Sequence, residues 1–301
     1  MKQLASGTIH ERISAIPNSW YPAYLVRGGT KNLLIDAGIN LLGPLYLKSI
    51  REIIAGPNPL QYLFLTHSHY DHLGGAGYLK RQLPELTIGA HERVAGLLQK
   101  ESVLEMMNRL SESQRKLFQG LAGNEDVKIR PFEIGLILKQ GDEFDLGGLS
   151  CRVYEVPGHT RDSLAFFIPE IKALFPGEAA GVPQGKGGEA VQVEFLSSYH
   201  DYLKSLEMMI GLEPEMVCIG HAWVFTGSDA GDYLARSLAA TARYKELIEN
   251  YLDAADGDAG RAIQAIVRTE YDESGTIFQE RNAYITNLTA QVRHIAGLRE
   301  N

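Results

Sequence analysis

A short, largely apolar run, Leu60–Leu65, passes directly into Thr66-His67-Ser68-His69-Tyr70-Asp71-His72 and then into a Gly-rich turn at Gly74, Gly75 and Gly77. A run of that length bounded by turn residues reads as a buried strand. The fold must therefore bring four potential metal donors, His67, His69, Asp71 and His72, to the end of a core strand. Three of the nine histidines fall in this one hexapeptide, which composition does not explain. A loop leaving a strand points alternate side chains at one spot. His67 and His69 can then share one ion, with Asp71 and His72 facing a second site beside it. Imidazole and carboxylate are the usual donors for borderline first-row metals. The competing reading is a polar loop whose histidines only hydrogen-bond locally.

The flanking sequence alternates strands with helices. Tyr24–Val26 and Leu33–Ile35 read as paired strands around Arg27-Gly28-Gly29-Thr30. Leu42–Ile54 reads as a helix closed by Gly56-Pro57-Asn58-Pro59, and another helix runs from near Gly75 to before Pro84. Leu86–Ala90 is a further strand. From about His91 to Gly123 apolar residues recur at helical spacing, which predicts a helical insertion. Strands return at Ile134–Lys139, Glu143–Asp145, Leu149–Val156, Leu164–Ile168 and Ile171–Phe175. Pro176–Gly188 reads as a mobile Gly-rich loop, followed by a helix over Tyr199–Ile210 and a strand over Glu215–Ile219. Beyond about Ser228 the pattern is helical, with helices over Tyr233–Leu252, Arg261–Arg268 and Gln279–Leu298. The class is α/β with a helical C-terminal subdomain, divided as 1–227 and 228–301 with the insertion at about 91–123.

Composition bounds the partners. A net charge of -8 over 301 residues argues against a nucleic-acid backbone, whose binding needs clustered Lys and Arg. The chain has two cysteines, Cys151 and Cys218, both in apolar strand-like stretches. They read as buried inert thiols and fit a reducing cytoplasm. No apolar run approaches a membrane span and the start has no apolar signal core, so a soluble, cytoplasmic protein is expected. The apolar faces near Met106-Met107 and Leu234–Leu238 read either as core or as a homodimer surface.

A metal cluster needs more donors than one hexapeptide supplies, and later strand ends offer them. Val153–Val156 leads into Pro157-Gly158-His159, and Met216–Ile219 leads into Gly220-His221. In both, a tight Gly turn projects an imidazole over the sheet edge. Phe175-Pro176-Gly177-Glu178 repeats the arrangement with a carboxylate.

Taken in order, His67-Ser68-His69-Tyr70-Asp71-His72, Gly158-His159, Gly177-Glu178 and Gly220-His221 resemble the metallo-β-lactamase superfamily, along residues 1 to about 227. The resemblance implies an αββα sandwich with two divalent metal ions at one edge of its sheets, zinc foremost, with iron or manganese as alternatives. It assigns His67, His69 and His159 to the first ion and Asp71, His72 and His221 to the second. The family usually bridges the two with Asp; this chain offers Glu178, one methylene longer. Leu34-Ile35-Asp36-Ala37-Gly38 resembles the family's early strand-end motif, in which Asp36 supports the ligands from behind.

A hydroxide held by two such ions is a nucleophile at neutral pH, because coordination lowers the pKa of water to about 7. Asp71 is the candidate for orienting it, and no activated serine competes. Trp20-Tyr21, Trp223 and Phe225 read either as an aromatic rim suited to an apolar acyl group or as rings packed against the C-terminal helices. The helical C-terminus is similar to that of thioesterase-like members such as glyoxalase II. The expected reaction is hydrolysis of an ester-type bond in a small molecule, foremost a thioester such as an acyl-CoA or glutathione conjugate. Two rivals stand beside it: a di-iron redox protein, and a binding or regulatory protein with impaired turnover, which Glu178 keeps open.

Overall fold

A computed structural model of the chain describes residues 1–54, 56, 58–121, 124–185, 187–277 and 279–299. Pro57 of the expected turn, Gly123 at the end of the expected insertion, residue 186 of the expected loop and residues 300–301 lie outside the described residues. The chain divides into two units. One comprises Met1–Glu155, Asp162–Gly177 and Glu215–Gly227; the other comprises Val156–Arg161, Glu178–Pro214 and Ser228–Asn301.

The first unit holds two seven-stranded mixed sheets. One runs, in spatial order, Gly7–His10, Ile13–Ile16, Ala23–Arg27, Asn32–Ile35, Leu60–Phe64, Thr87–Ala90 and Leu136–Ile137. It is antiparallel up to Asn32–Ile35 and parallel from there on. The other runs Lys2–Leu4, Trp223–Thr226, Met216–Ile219, Ala173–Gly177, Leu164–Ile168, Ser150–Glu155 and Glu143–Asp145. Only its pairing of Ala173–Gly177 with Met216–Ile219 is parallel.

Side-chain alternation explains how the sheets stack. Tyr24, Val26, Leu33, Ile35 and Phe64 of the first sheet join Cys151, Val153, Phe166, Phe175 and Cys218 of the second in one buried layer. Ala23, Leu25, Leu34, Leu63 and Leu65, one residue out of phase, pack on the other face with Tyr46, Leu47 and Ile50 of the helix Gly43–Ile53 and with Tyr78 and Leu79 of the helix Ala76–Gln82. Each large side chain buried this way contributes about 1.5–3 kcal/mol, so the strands that carry the histidine motifs are firmly seated.

Register decides where those motifs emerge. Ile35 pairs with Phe64 in parallel, so Asp36 and Thr66-His67 leave the sheet at the same edge. Gly177 pairs with Ile219 in the other sheet, and Gly220-His221 follow directly. Tyr24 Oη donates to the Ile219 carbonyl at 2.5 Å, tying the two sheets together just before Gly220.

Several expectations need correction. The hexapeptide is not all loop: Tyr70–Leu73 is a single helical turn carrying Asp71 and His72. Trp223–Thr226 is a strand, and Phe225 is buried in it, so Phe225 is not part of an exposed aromatic rim. The stretch expected to be helical is indeed so, as helices Glu92–Leu97 and Glu101–Ser113 and a 3-10 turn at Arg115–Phe118. The strand expected over Ile134–Lys139 is confined to Leu136–Ile137.

The second unit contains the helices Tyr199–Gly211, Ser228–Ala254, Ala259–Ile266 and Arg281–Arg299. A π-helical stretch, Val267–Glu273, extends the third. The segment expected as a loop contains an antiparallel hairpin, Val182–Gln184 with Ala190–Gln192. It is pinned at its base, where Ser237 Oγ and Tyr233 Oη donate to the Ala180 carbonyl at 2.7 and 3.1 Å. No helix among the described residues is long and apolar enough to cross a membrane.

Candidate metal centre

Asp36, buried and at φ +62°, organises the edge of the first sheet. Its carboxylate accepts from the Thr66 backbone N–H at 2.8 Å, from Thr66 Oγ1 at 3.0 and 2.9 Å, and from His72 Nδ1 at 2.8 Å. Thr66 Oγ1 also lies 3.0 Å from His67 Nδ1. The hydroxyl has one proton and a carboxylate only accepts, so the hydroxyl donates to Asp36 and accepts from His67 Nδ1–H. One carboxylate therefore sets the tautomer of two imidazoles, His72 directly and His67 through Thr66. In both rings the lone pair is left on Nε2, as a metal-binding histidine requires.

The rings converge. Their centroids lie 4.6 Å apart for His67 and His69, 4.2 Å for His67 and His72, and 5.1 Å for His72 and His221. One donor atom each from Asp71, His72 and His221 fall within 4.8 Å of one another. His221 is oriented like the others, with Nδ1 donating to the Trp20 carbonyl at 2.7 Å, and its Nε2 is 3.7 Å from Asp71 Oδ2. Among the described residues, His72 Nε2 is buried and has no hydrogen-bond partner. A buried polar atom without a partner costs about 1–3 kcal/mol. A divalent cation held by His72, Asp71 and His221 would remove that cost, so the donor set fits a metal ion.

Close packing holds His72 in place. A Cβ on Gly220 would come within 2.7 Å of His72 Cε1, and one on Gly177, at φ +56°, within 2.9 Å of Thr66. Both positions demand glycine, for clearance at the first and for conformation as well at the second.

In the second unit, His159 and Glu178 are brought together, with His159 Nε2 2.8 Å from Glu178 Oε2. His159 is fully buried, and its Nδ1 donates to the Glu194 carbonyl at 2.7 Å. This is the same support seen at His72 and His221, an acceptor behind the ring that turns Nε2 forward.

A model of the metallo-beta-lactamase superfamily matches residues 22–221. The chain belongs to the metallo-beta-lactamase superfamily. Among curated relatives, an acyl-coenzyme A thioesterase, MBLAC2 of Gallus gallus, is 29% identical over 213 residues, covering 67% of this chain and 72% of that protein. An atrochrysone carboxyl ACP thioesterase of Aspergillus fumigatus is 28% identical over 190 residues, covering 63% of this chain and 34% of the relative. The crystal structure of a metallo-beta-lactamase family protein from Thermus thermophilus aligns with a TM-score of 0.62 at 20% identity, over 99% of this chain and 93% of that one. The fold is thus the superfamily's, with C-terminal helices, and the chain carries its histidine-rich metal-binding site.

Sequence reading did not find the groups that orient the ligands: Thr66, the Trp20 carbonyl and the Glu194 carbonyl. A threonine directly before His67 was the one available signal, since the carbonyls act through backbone atoms that any residue supplies. Of the expected rim, Trp20 is 64% exposed, and Tyr21 lies edge-on to His221 at 5.8 Å and to Phe118 at 5.7 Å. Arg161 is exposed. Cys151 and Cys218 are buried and free, and burial pushes both thiols up.

Proposed function

We propose that this protein is a metal-dependent hydrolase of ester-type bonds whose substrates are thioesters, an acyl-CoA or a glutathione conjugate. The observation that carries the reading is the buried lone pair of His72 Nε2, its tautomer fixed by Asp36, facing Asp71 and His221. In the proposed site Asp71, His72 and His221 would hold one ion and His67, His69 and His159 the other, with Glu178 as the further carboxylate ligand. Zinc, manganese or iron suits these donors, and each would supply activated water and polarisation of the substrate carbonyl.

The chain's own residues do the rest. Asp36 and Thr66 keep two imidazoles in the ligating tautomer. The Asp71 carboxylate, on the first turn of its short helix, accepts a hydrogen bond from the attacking water and orients it. Tyr21, Phe118 and the exposed Trp20 and Leu117 offer an apolar rim for an acyl chain, with Leu117 75% exposed. The two relatives named as thioesterases support the choice of bond.

The test is thiol release from a series of acyl-CoAs and from S-lactoylglutathione, using protein loaded with zinc, manganese or iron. The expected result is turnover that is lost on chelation and in His72→Ala. Protein holding two ions per chain that releases thiol from none of these would overturn the thioesterase reading.

A further inference from the structure

The carbonyl behind His159 belongs to a short segment, residues 193–198, that has little regular structure of its own before the helix that begins at Tyr199. Its position must come from what holds it. Three side chains on one face of the last helix do so, at positions i, i+4 and i+7. Asn287 Nδ2 donates to Glu194 Oε2 at 2.9 Å. Gln291 Nε2 donates to the Val193 carbonyl at 2.8 Å. His294 Nε2 accepts from the Tyr199 backbone N–H at 2.9 Å. Such spacing places all three on one stripe of the helix.

The stripe is costly unless it has a purpose. Gln291 is 2% exposed and Glu194 1%, and buried polar groups are stable only when hydrogen-bonded. The contacts run along the whole segment. Gln192 also donates to Glu194, and Ser197 and Ser198 N–H groups donate to the Gly158 carbonyl at 2.9 and 3.2 Å. Gly158 itself, at φ +132°, lies against Tyr202, where a Cβ would come within 2.4 Å of the Tyr202 backbone. The segment thus grips Gly158-His159 from two sides, by the carbonyl of Glu194 on the ring and by two amides on the preceding residue.

We infer that the helix Arg281–Arg299 is a positioning element for His159, acting through Asn287 on the Glu194 carboxylate and through Gln291 on the Val193 carbonyl. The inference rests on the reading of His159 as a metal ligand. Asn287 and Gln291 touch neither metal nor substrate. They fix the acceptor that keeps the proton on Nδ1 and the lone pair on Nε2.

The test uses full-length protein, with zinc affinity measured by competition against a chromophoric chelator and with the His159 ring nitrogens followed by 15N NMR. The variants are Gln291→Met and Asn287→Leu, each close in volume to the original, with Leu288→Ala and His159→Ala as controls. Removing a partner behind a metal-binding histidine lowers affinity about 10- to 100-fold. One anchor lost from that partner is expected to cost about threefold to tenfold at the weaker zinc position, with the Nδ1 signal shifted. Leu288 is fully buried on the same helix and its side chain carries no hydrogen-bonding group; its truncation is expected to lower the melting temperature and leave zinc affinity unchanged. Wild-type affinity and an unshifted Nδ1 signal in both Gln291→Met and Asn287→Leu would overturn the inference. Equal loss in Leu288→Ala would also overturn it, by reducing the effect to general stability. Unchanged zinc binding in His159→Ala would instead overturn the ligand reading beneath it.

Discussion

Replacing Asp36 with Asn tests the central electrostatic argument with almost no change in shape. Asn tolerates the left-handed backbone at φ +62° as well as Asp does, so no strain is added. The carboxylate accepts everything offered to it, whereas the amide has one accepting and one donating end. If its oxygen stays on the Thr66 N–H at the present 2.8 Å, its NH2 group takes the place of Oδ2 and faces His72 Nδ1, now 2.8 Å away. Two donors cannot share that space. His72 must move its proton to Nε2, which removes the lone pair aimed at the metal, or swing away from the site. The displaced NH2 also confronts the Thr66 hydroxyl, which then turns and loosens its hold on His67. Losing such a partner lowers metal affinity about 10- to 100-fold, which corresponds to about 1.4–2.7 kcal/mol. The metal-free protein should also lose about 1.5–3 kcal/mol, the worth of one hydrogen bond to a charged group.

Two measurements check this: zinc affinity by chelator competition, and thermal melting without metal. Thr66→Val, nearly isosteric, is the companion variant; it removes the acceptor of His67 Nδ1 and leaves the His72 contact in place. Its zinc loss should be smaller than that of Asp36→Asn. Asp36→Asn binding zinc within threefold of wild type would refute the tautomer argument.

Other consequences are simpler to state. Gly220→Ala places a methyl 2.7 Å from His72 Cε1, and overpacking of this kind costs about 1–3 kcal/mol; a lower melting temperature and reduced zinc content are expected, and wild-type values of both would count against the close packing. Cys151 and Cys218 should both be silent toward a thiol reagent in the native protein and both react in denaturant, since burial pushes each thiol up; reaction of either within minutes under native conditions would contradict their placement. Burial and the neighbouring His200 hold the His294 pKa below 6.5, with Asp201 opposing them. The unfolded chain therefore binds the extra proton first, and the stability contributed by neutral His294 is present above pH 6.5 and lost as pH falls from 6.5 through the lowered value. Melting curves should show a steeper acid loss for wild type than for His294→Leu, and parallel curves would refute the shift.

The parts of this protein that could be read from its sequence are those where type and place are decided locally. Leu60–Leu65 is apolar enough to be a strand by itself, and the residues after it must leave the sheet where the strand ends, whatever the rest of the chain does. The Gly-His steps at residues 158–159 and 220–221 are local in the same sense. The strand Lys2–Leu4 is not: its residues are exposed, and it exists because it pairs with Trp223–Thr226 more than 200 residues away. Trp223–Thr226 is held in the sheet on its other side by antiparallel pairing with Met216–Ile219, and a Trp and a Phe following a turn gave no hint of that strand. The pairing of Val182–Gln184 with Ala190–Gln192 was hidden for a related reason, since Gly-rich composition signals freedom to turn and says nothing about the carbonyl of Ala180 being caught by Ser237 and Tyr233.

The same division runs through the proposed metal ligands. Which side chains can bind a metal is a property of residue type, and the motifs declare it. Which nitrogen of each ring is available is a property of what stands behind the ring. For His221 that is a carbonyl 201 positions away along the chain, for His159 one 35 away, and for His72 a carboxylate 36 away. None of these can be seen by reading neighbours. A donor pattern in sequence thus predicts a metal site's composition, while its affinity depends on acceptors supplied by elements that carry no motif at all. Variants at Asp36 and Gln291, neither of them a ligand, should therefore shift zinc affinity more than exposed substitutions closer to the site, such as at Arg161.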